Sequence, residues 1–110
     1  MPRGYQHPVD ENGLIINEFG MKMREGAIYM EVVVHPLAGV QSAAEIEDFP
    51  FPDPLADGRY DDAARDIAKF KNEYFIVGDI ELTMFDMMQQ LVGLEKLLID
   101  LAQGAEYLEP

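Results

Sequence analysis

Three carboxylates that follow one short apolar run are the residues of this chain whose type and spacing best suit chemistry. Asp79, Glu81 and Asp86 lie shortly after the apolar residues 74–78. Barrel enzymes place pocket residues just after a buried strand, so these three acids are candidates to line a pocket. The alternative, which the residues alone favour, is a set of ordinary loop acids and first-turn helix acids.

Histidine and methionine supply the other candidates for a site. His7 and His35 could bind a metal together with carboxylates, but they are isolated in sequence, and histidines with ordinary hydrogen bonds are favoured. Met84, Met87 and Met88 could line a ligand cavity, although core packing is favoured because methionine fills irregular gaps. The chain has 0 cysteines, which excludes a thiol nucleophile and a Cys-based zinc site within it. We therefore assign no metal ligand and no catalytic residue.

Composition narrows the class of protein. A hydrophobic content of 48% is that of a globular domain, and no apolar run approaches the length of a membrane span. The net charge is −13, which repels nucleic acid and anionic membrane surfaces alike. We expect no nucleic-acid or membrane partner, and the lack of cysteine favours the cytoplasm.

The first third of the chain predicts an irregular segment followed by a β-hairpin. Residues 1–13 are polar and irregular. Residues 14–36 carry β-branched and aromatic residues on both sides of Gly26, which predicts a hairpin turn there. The second arm, residues 28–34, has the stronger strand preference, and Pro36 ends it because proline cannot donate a ladder hydrogen bond.

Residues 42–60 predict a short helix and then a rigid connection. Ser42 is expected to cap the helix, with Glu45 completing a capping box. Three prolines alternate with Phe49, Phe51 and an aspartate, which favours an extended, polyproline-like segment. We interpret it as a span of fixed length whose rings pack against the rest of the protein. A proline-rich recognition motif is the alternative.

Residues 61–103 predict helix, strand and helix in that order. Apolar residues recur with a helical period from Asp61, and again from Thr83 with a pause at Gly93. Between these two stretches, residues 74–78 are apolar at every position, which is typical of a parallel strand covered on both faces. The order of elements indicates an α/β protein.

Several short motifs, taken in order, resemble the uroporphyrinogen decarboxylase-like superfamily, and more narrowly its branch with corrinoid-dependent methyltransferases. In chain order they are Asn17-Glu18-Phe19-Gly20, His35-Pro36-Leu37, Phe49-Pro50-Phe51-Pro52-Asp53-Pro54, Arg59-Tyr60, Ile76-Val77-Gly78, and a G-x-E-x-x-L-x-D-L pattern at Gly93, Glu95, Leu98, Asp100 and Leu101. Their order and spacing are more specific than any single motif.

The resemblance implies that residues 1–110 are one partial domain, a fragment of a (β/α)₈ barrel. Its parts would be a hairpin excursion, one buried parallel-type strand and amphipathic helices. The residues implied to line the substrate pocket are Gly78, Asp79, Glu81, Phe85, Gln89 and Gln90. The decarboxylases of this family carry a substrate-facing tyrosine where this chain has Gln89 or Gln90, so we expect that role to be lost or altered.

Within this resemblance we expect methyl transfer to or from a corrinoid or a thiol, on a non-porphyrin substrate. Residues 78–90 contain the three acids and no Lys or Arg. Two like charges about 4 Å apart repel by about 4 kcal/mol at an effective dielectric constant of about 20, which disfavours a polycarboxylate such as uroporphyrinogen. The chain itself would hold no cofactor. For the full-length parent the resemblance implies a small-molecule substrate, corrinoid, zinc and a corrinoid protein as partner.

Two alternatives stay open. The first alternative to the barrel fragment is an independent acidic α+β module that binds a partner through its hairpin and proline-rich segment without catalysis. The second is a truncated gene product with no activity. As a barrel fragment it would be inactive alone, because a barrel active site draws on several strands. It would also expose residues 74–77 and a leucine stripe over residues 94–101, and would self-associate or bind a hydrophobic dye.

Overall fold

A computed structural model describes residues 2–108, which divide into two compact units. The first unit comprises residues 2–6 and 52–81, and the second comprises residues 7–51 and 82–108. Every strand and every fully buried apolar side chain among the described residues belongs to the second unit. The second unit therefore contains the hydrophobic core, while the first consists mainly of turns and one exposed helix.

Within the described residues the sheet has three antiparallel strands, in the order in which they occur along the chain. They are β1 (Ile15–Ile16), β2 (Lys22–Glu25) and β3 (Met30–Val34). Arg24 lies opposite Glu31 in the register of β2 and β3, and their side chains form an ion pair at 2.9 Å. The hairpin predicted around Gly26 is present, with its second strand beginning two residues later than the apolar pattern indicated.

The turn between β1 and β2 is built by the side chain of Asn17. Its Oδ1 atom accepts hydrogen bonds from the N–H groups of Phe19 and Met21, each at 3.0 Å. Gly20 adopts a φ of 77°, a conformation that glycine reaches without a steric penalty. The turn directs Met21 into the core, where it is fully buried. The Asn-Glu-Phe-Gly motif thus has a local structural role.

Four α-helices and a short 3₁₀ helix complete the fold of residues 2–108. The α-helices are α1 (Ala43–Glu47), α2 (Asp61–Phe70), α3 (Met84–Val92) and α4 (Leu94–Gln103), and the 3₁₀ helix is Glu106–Leu108. Helix α2 begins at Asp61 and α3 is followed by a break at Gly93, as the helical periods predicted.

Side chains define where two of these helices begin. At α1 the Glu45 carboxylate accepts hydrogen bonds from the Ser42 N–H and hydroxyl groups, both at 3.0 Å, which confirms the predicted capping interaction. At α3 the hydroxyl oxygen of Thr83 accepts from the Asp86 N–H at 3.3 Å, while the Asp86 carboxylate accepts from the Thr83 N–H at 3.2 Å. These bonds satisfy donors that every helix start leaves unpaired.

The core is formed by the ends of the helices and the turns that flank the sheet. Its buried members are Met21, Leu37, Val40, Leu91, Val92 and Leu97. Leu97, fully buried, anchors α4, whereas its neighbour Leu98 remains 50% exposed. Burial of such side chains stabilises a fold by about 1.5 to 3 kcal/mol each.

The predicted (β/α)₈ barrel fragment is wrong. The structure is a small α/β domain whose three-stranded sheet is antiparallel, and the predicted strand at residues 74–78 forms neither helix nor strand. Phe75 in this run is 93% exposed and Val77 is 73% exposed. A parallel strand needs neighbouring strands as well as apolar side chains, and no strand among residues 2–108 pairs with this run.

The helices are short. None of the helices among residues 2–108 is both long enough and apolar enough to cross a membrane.

Candidate functional site

The pocket residues predicted from the sequence fall into two groups, one in each unit. Three follow α2 in the first unit, and three lie on α3 in the second: Gly78, Asp79 and Glu81, then Phe85, Gln89 and Gln90. Each group has its own structural setting.

The first group lies in an exposed and irregular part of the chain. Gly78, Asp79 and Glu81 are all exposed, and neither carboxylate forms a hydrogen bond or ion pair with a described residue. A Cβ atom placed on Gly78 would meet nothing within 4 Å. This glycine therefore makes no close approach to another part of the chain, and the two acids are free to interact with solvent or a ligand.

The second group is organised by the N-terminal cap of α3. The Asp86 carboxylate that caps the helix also accepts a hydrogen bond from Gln89 Nε2 at 3.3 Å. Asp86, which the sequence placed with the pocket acids, is thus used by the helix itself. Phe85, in the first turn, is 43% exposed.

Gln90 takes part in a junction between the turn after β3 and the end of α3. The Nδ1 atom of His35 lies 2.7 Å from the carbonyl oxygen of Gln90, and a carbonyl can only accept, so Nδ1 carries the proton. The N–H of Leu37 donates to the carbonyl oxygen of Leu91 at 2.9 Å. Carbonyl groups at a helix end lack partners within the helix, and this turn supplies two donors.

Gly93 lies close to the imidazole of His35, where the turn after β3 meets the end of α3. A Cβ atom on Gly93 would lie 3.4 Å from His35 Cδ2, and the backbone at this residue has a φ of 95°. The chain turns here from α3 into α4. We call the set His35, Leu37, Gln90, Leu91 and Gly93 the β3–α3 junction. It joins the His-Pro-Leu motif to the first residue of the G-x-E-x-x-L-x-D-L pattern.

An apolar cavity of about 130 Å³ opens beside the junction. It is lined by Leu37, Ile46, Phe51, Met88, Leu91, Val92 and Tyr107. Of the three methionines considered above, Met88 lines this cavity and Met87 packs against the core, whereas Met84 is 84% exposed. The cavity suits a small apolar group and offers almost no polar contact.

The two phenylalanines of the proline-rich segment contact each other beside this cavity. Their rings lie 4.8 Å apart, edge to face, and the Phe51 N–H donates to the Phe49 carbonyl oxygen at 2.8 Å. This three-residue turn bends the chain where an extended polyproline geometry was predicted. Phe49 packs against the core and Phe51 is 48% exposed.

The last polar cluster lies at the end of α4. The Asp100 carboxylate accepts hydrogen bonds from the Lys96 ammonium group and, at 2.6 Å, from the Tyr107 hydroxyl. These bonds, that from Lys96 foremost, lower the pKa of Asp100. Burial, reinforced by the Asp100 carboxylate, raises the pKa of Tyr107 well above its ordinary value. The cluster therefore holds an ionised carboxylate and a neutral phenol near pH 7, and it orients the Tyr107 ring toward the cavity.

Neither histidine belongs to a metal site in the part of the chain described. His7 and His35 each bond to a backbone carbonyl, and no three His, Asp or Glu side chains converge among residues 2–108. The residues present do not form a zinc site.

Comparison with known proteins gives no relative. No family model, no curated protein and no solved structure matches the chain.

Reasoning from the sequence missed the β3–α3 junction and the Asp100 cluster. His35 was considered as a metal ligand, as an ordinary hydrogen-bonded histidine and as part of a motif, but its partner was not predicted. Asp100 was considered only as part of a motif. The i, i+4 spacing of Lys96 and Asp100 was a readable signal for the ion pair. The contact of His35 with Gln90 joins residues 55 positions apart, and no local pattern predicts it.

Proposed function

We propose that the chain is part of a uroporphyrinogen decarboxylase-like enzyme of the methyltransferase-like branch, working in the cytoplasm. The reaction proposed is methyl transfer to or from a corrinoid or a thiol, on a small non-porphyrin substrate. A corrinoid protein is the proposed partner of the full-length enzyme. Because the described residues do not form a zinc site, zinc and corrinoid would be held by other parts of that enzyme.

The observation that carries the proposal is the contact between two of its motifs. The imidazole of His35, in the His-Pro-Leu turn, bonds to the carbonyl oxygen of Gln90. A Cβ atom on Gly93, which opens the G-x-E-x-x-L-x-D-L pattern, would lie 3.4 Å from the same ring. The proximity of these two motifs in the fold supports the proposal.

Local charge supports a substrate other than a porphyrin. From residue 72 to residue 95 the chain has five acids and no Lys or Arg. Asp79 and Glu81 are exposed and lack protein partners among the described residues. A neutral or cationic methylated compound suits these carboxylates better than a polycarboxylate does.

The test is an assay of the full-length enzyme that contains these residues, with two substrate classes side by side. We expect demethylation of a methylated amine or thioether in the presence of a corrinoid, followed by the absorbance change of the corrinoid, and no decarboxylation of uroporphyrinogen. Glu81→Gln should weaken the binding of a cationic substrate more than the binding of a neutral one. Efficient decarboxylation of uroporphyrinogen would contradict the proposed branch, and loss of both activities would contradict the family.

The second candidate is an acidic interaction module without catalysis. The specific observation in its favour is the exposure of large apolar side chains in the first unit, with Phe75 at 93% and Ile80 at 88%. A protein that binds no partner gains nothing from such exposure. Activity of the full-length protein on either substrate class would exclude this candidate.

A further inference from the structure

We infer that residues 75–82 dock as an added β-strand on the exposed strand edge of a partner protein that carries Lys or Arg beside that edge. These residues are called the docking segment below. The inference stands independently of the proposed enzymatic function, because it rests on the backbone, exposure and charge of this segment alone.

The backbone of the docking segment has no partner within the protein. No N–H or C=O group of residues 75–82 forms a hydrogen bond with another described residue. The preceding residue, Tyr74, is still bonded to Phe70, and the next, Thr83, to Asp86. Eight consecutive residues are thus available for strand pairing, which is the main source of affinity when a peptide adds to a sheet edge.

The side chains of the docking segment alternate as a strand requires. On one face of a strand would lie Ile76, Ile80 and Leu82, with Gly78 between them. On the other face would lie Phe75, Val77, Asp79 and Glu81. One face is therefore wholly apolar and the other ends in two acids. Pairing would cover Phe75, Val77 and Ile80, which are now 93%, 73% and 88% exposed.

The negative charge of the docking segment determines which kind of partner it fits. The nearest basic residues in sequence are Lys71 and Lys96, and every charged residue between them is acidic. A partner strand with Lys or Arg opposite Asp79 and Glu81 forms favourable cross-strand pairs. A second copy of this chain brings another net charge of −13 and no base within its own docking segment. A basic strand edge is therefore the occupant that the segment fits.

The probe is a fluorescein-labelled peptide of alternating lysine and valine, seven residues long. Three versions are compared by fluorescence anisotropy: the peptide itself, the same peptide with every second amide N-methylated, and its glutamate–valine counterpart. Methylation retains the charge and removes the donors that a strand pair needs. We expect the unmodified lysine peptide to bind at least about tenfold more tightly than either control, a difference of about 1.4 kcal/mol.

Variants of the chain place the binding on the docking segment. Ile80→Asn and Val77→Pro should each weaken binding of the lysine peptide about tenfold or more, the first by removing apolar contact and the second a backbone donor. Ile28→Asn is the matched control, since Ile28 is 90% exposed in the turn between β2 and β3, and it should bind as the parent does. Circular dichroism checks that all three remain folded.

Three results would overturn the inference. Equal binding of the methylated and unmodified peptides would show that charge alone attracts them. Equal effects of Ile80→Asn and Ile28→Asn would place the contact elsewhere. Concentration-dependent dimers that Ile80→Asn dissociates would assign the segment to a second copy. None of these results bears on methyl transfer by the full-length enzyme.

Discussion

The imidazole of His35 and the main-chain carbonyl of Gln90 are 2.7 Å apart, so the end of α3 is fixed by a side chain that follows β3. A carbonyl at a helix end costs free energy when it is buried without a donor. The imidazole is half-buried, and it supplies that donor from a different part of the chain. The sheet and the helical half of the second unit therefore depend on each other.

Removal of this donor should destabilise the protein. We expect His35→Ala to lower the free energy of unfolding by about 1 kcal/mol or more, measured by urea denaturation. His35→Asn should recover part of the loss, because its amide nitrogen can take the place of Nδ1. An equal loss in both variants would mean that ring packing, not the hydrogen bond, is responsible.

Two motif glycines should respond in opposite ways to alanine. Gly93→Ala places a Cβ atom on a residue with a φ of 95° and 3.4 Å from the His35 ring, and should cost about 1 to 3 kcal/mol. Gly78→Ala meets nothing within 4 Å, so it should be neutral or stabilise by up to about 1 kcal/mol through the unfolded state. Thermal unfolding of the two variants compares their stabilities. Similar losses of stability in both would contradict the different roles given to Gly93 and Gly78.

Alanine substitutions at two adjacent leucines of α4 should also differ in their effect on stability. Leu97 is 0% exposed, and Leu97→Ala should cost about 2 to 5 kcal/mol because a cavity replaces part of the core. Leu98→Ala, at a half-exposed position, should cost clearly less. Chemical denaturation of both variants checks the orientation of α4. A larger loss at Leu98 would show that the helix presents a different face to the core.

The Asp100 cluster predicts a dependence of stability on pH. Its hydrogen bonds with Lys96 and Tyr107 lower the pKa of Asp100 in the folded protein. The carboxylate therefore contributes stability above the unfolded pKa of about 3.9, and this contribution is lost as the pH falls through the lower folded value. The stability of Asp100→Asn should fall less between about pH 4 and pH 2 than that of the parent. Parallel curves would refute the coupling.

The phenol of the same cluster acts at the opposite end of the pH range. Burial and Asp100 raise the pKa of Tyr107, so its neutral form stabilises the fold up to the unfolded value of about 10. Stability should then decline as the pH rises above about 10, where the unfolded phenol ionises first. Tyr107→Phe should show a shallower decline in thermal unfolding temperature over this range. A decline as steep as that of the parent would assign the alkaline transition to other groups.

Local patterns predicted the elements that local interactions build. The turn at Gly26, the capping residues Ser42 and Glu45, and the start of α2 at Asp61 follow from short-range preferences, and the structure has them. The predicted strand at residues 74–78 failed for a different reason. An apolar run shows only that its side chains can be buried. Whether a neighbouring strand exists to pair with it depends on the whole chain.

The residues of the candidate site divide in the same way, into those that local patterns predict and those whose contacts depend on long-range packing. The acidity around Asp79 and Glu81 was predicted from the sequence, but the cap that engages Asp86 and the imidazole bonded to Gln90 were not. A cap is local and could have been found from the Thr83–Asp86 spacing. The imidazole contact spans most of the second unit, and only the packing of that unit determines it.

The discontinuity of the second unit makes residues 52–81, the longer part of the first unit, a loop between its two segments. The chain leaves the second unit after residue 51 and returns at residue 82, so 30 residues separate the two segments that form the core. The entropy of closing such a loop varies slowly with its length, by about 0.6 kcal/mol for each doubling. Insertions, deletions or a substituted linker between these points should therefore alter the stability of the core only slightly.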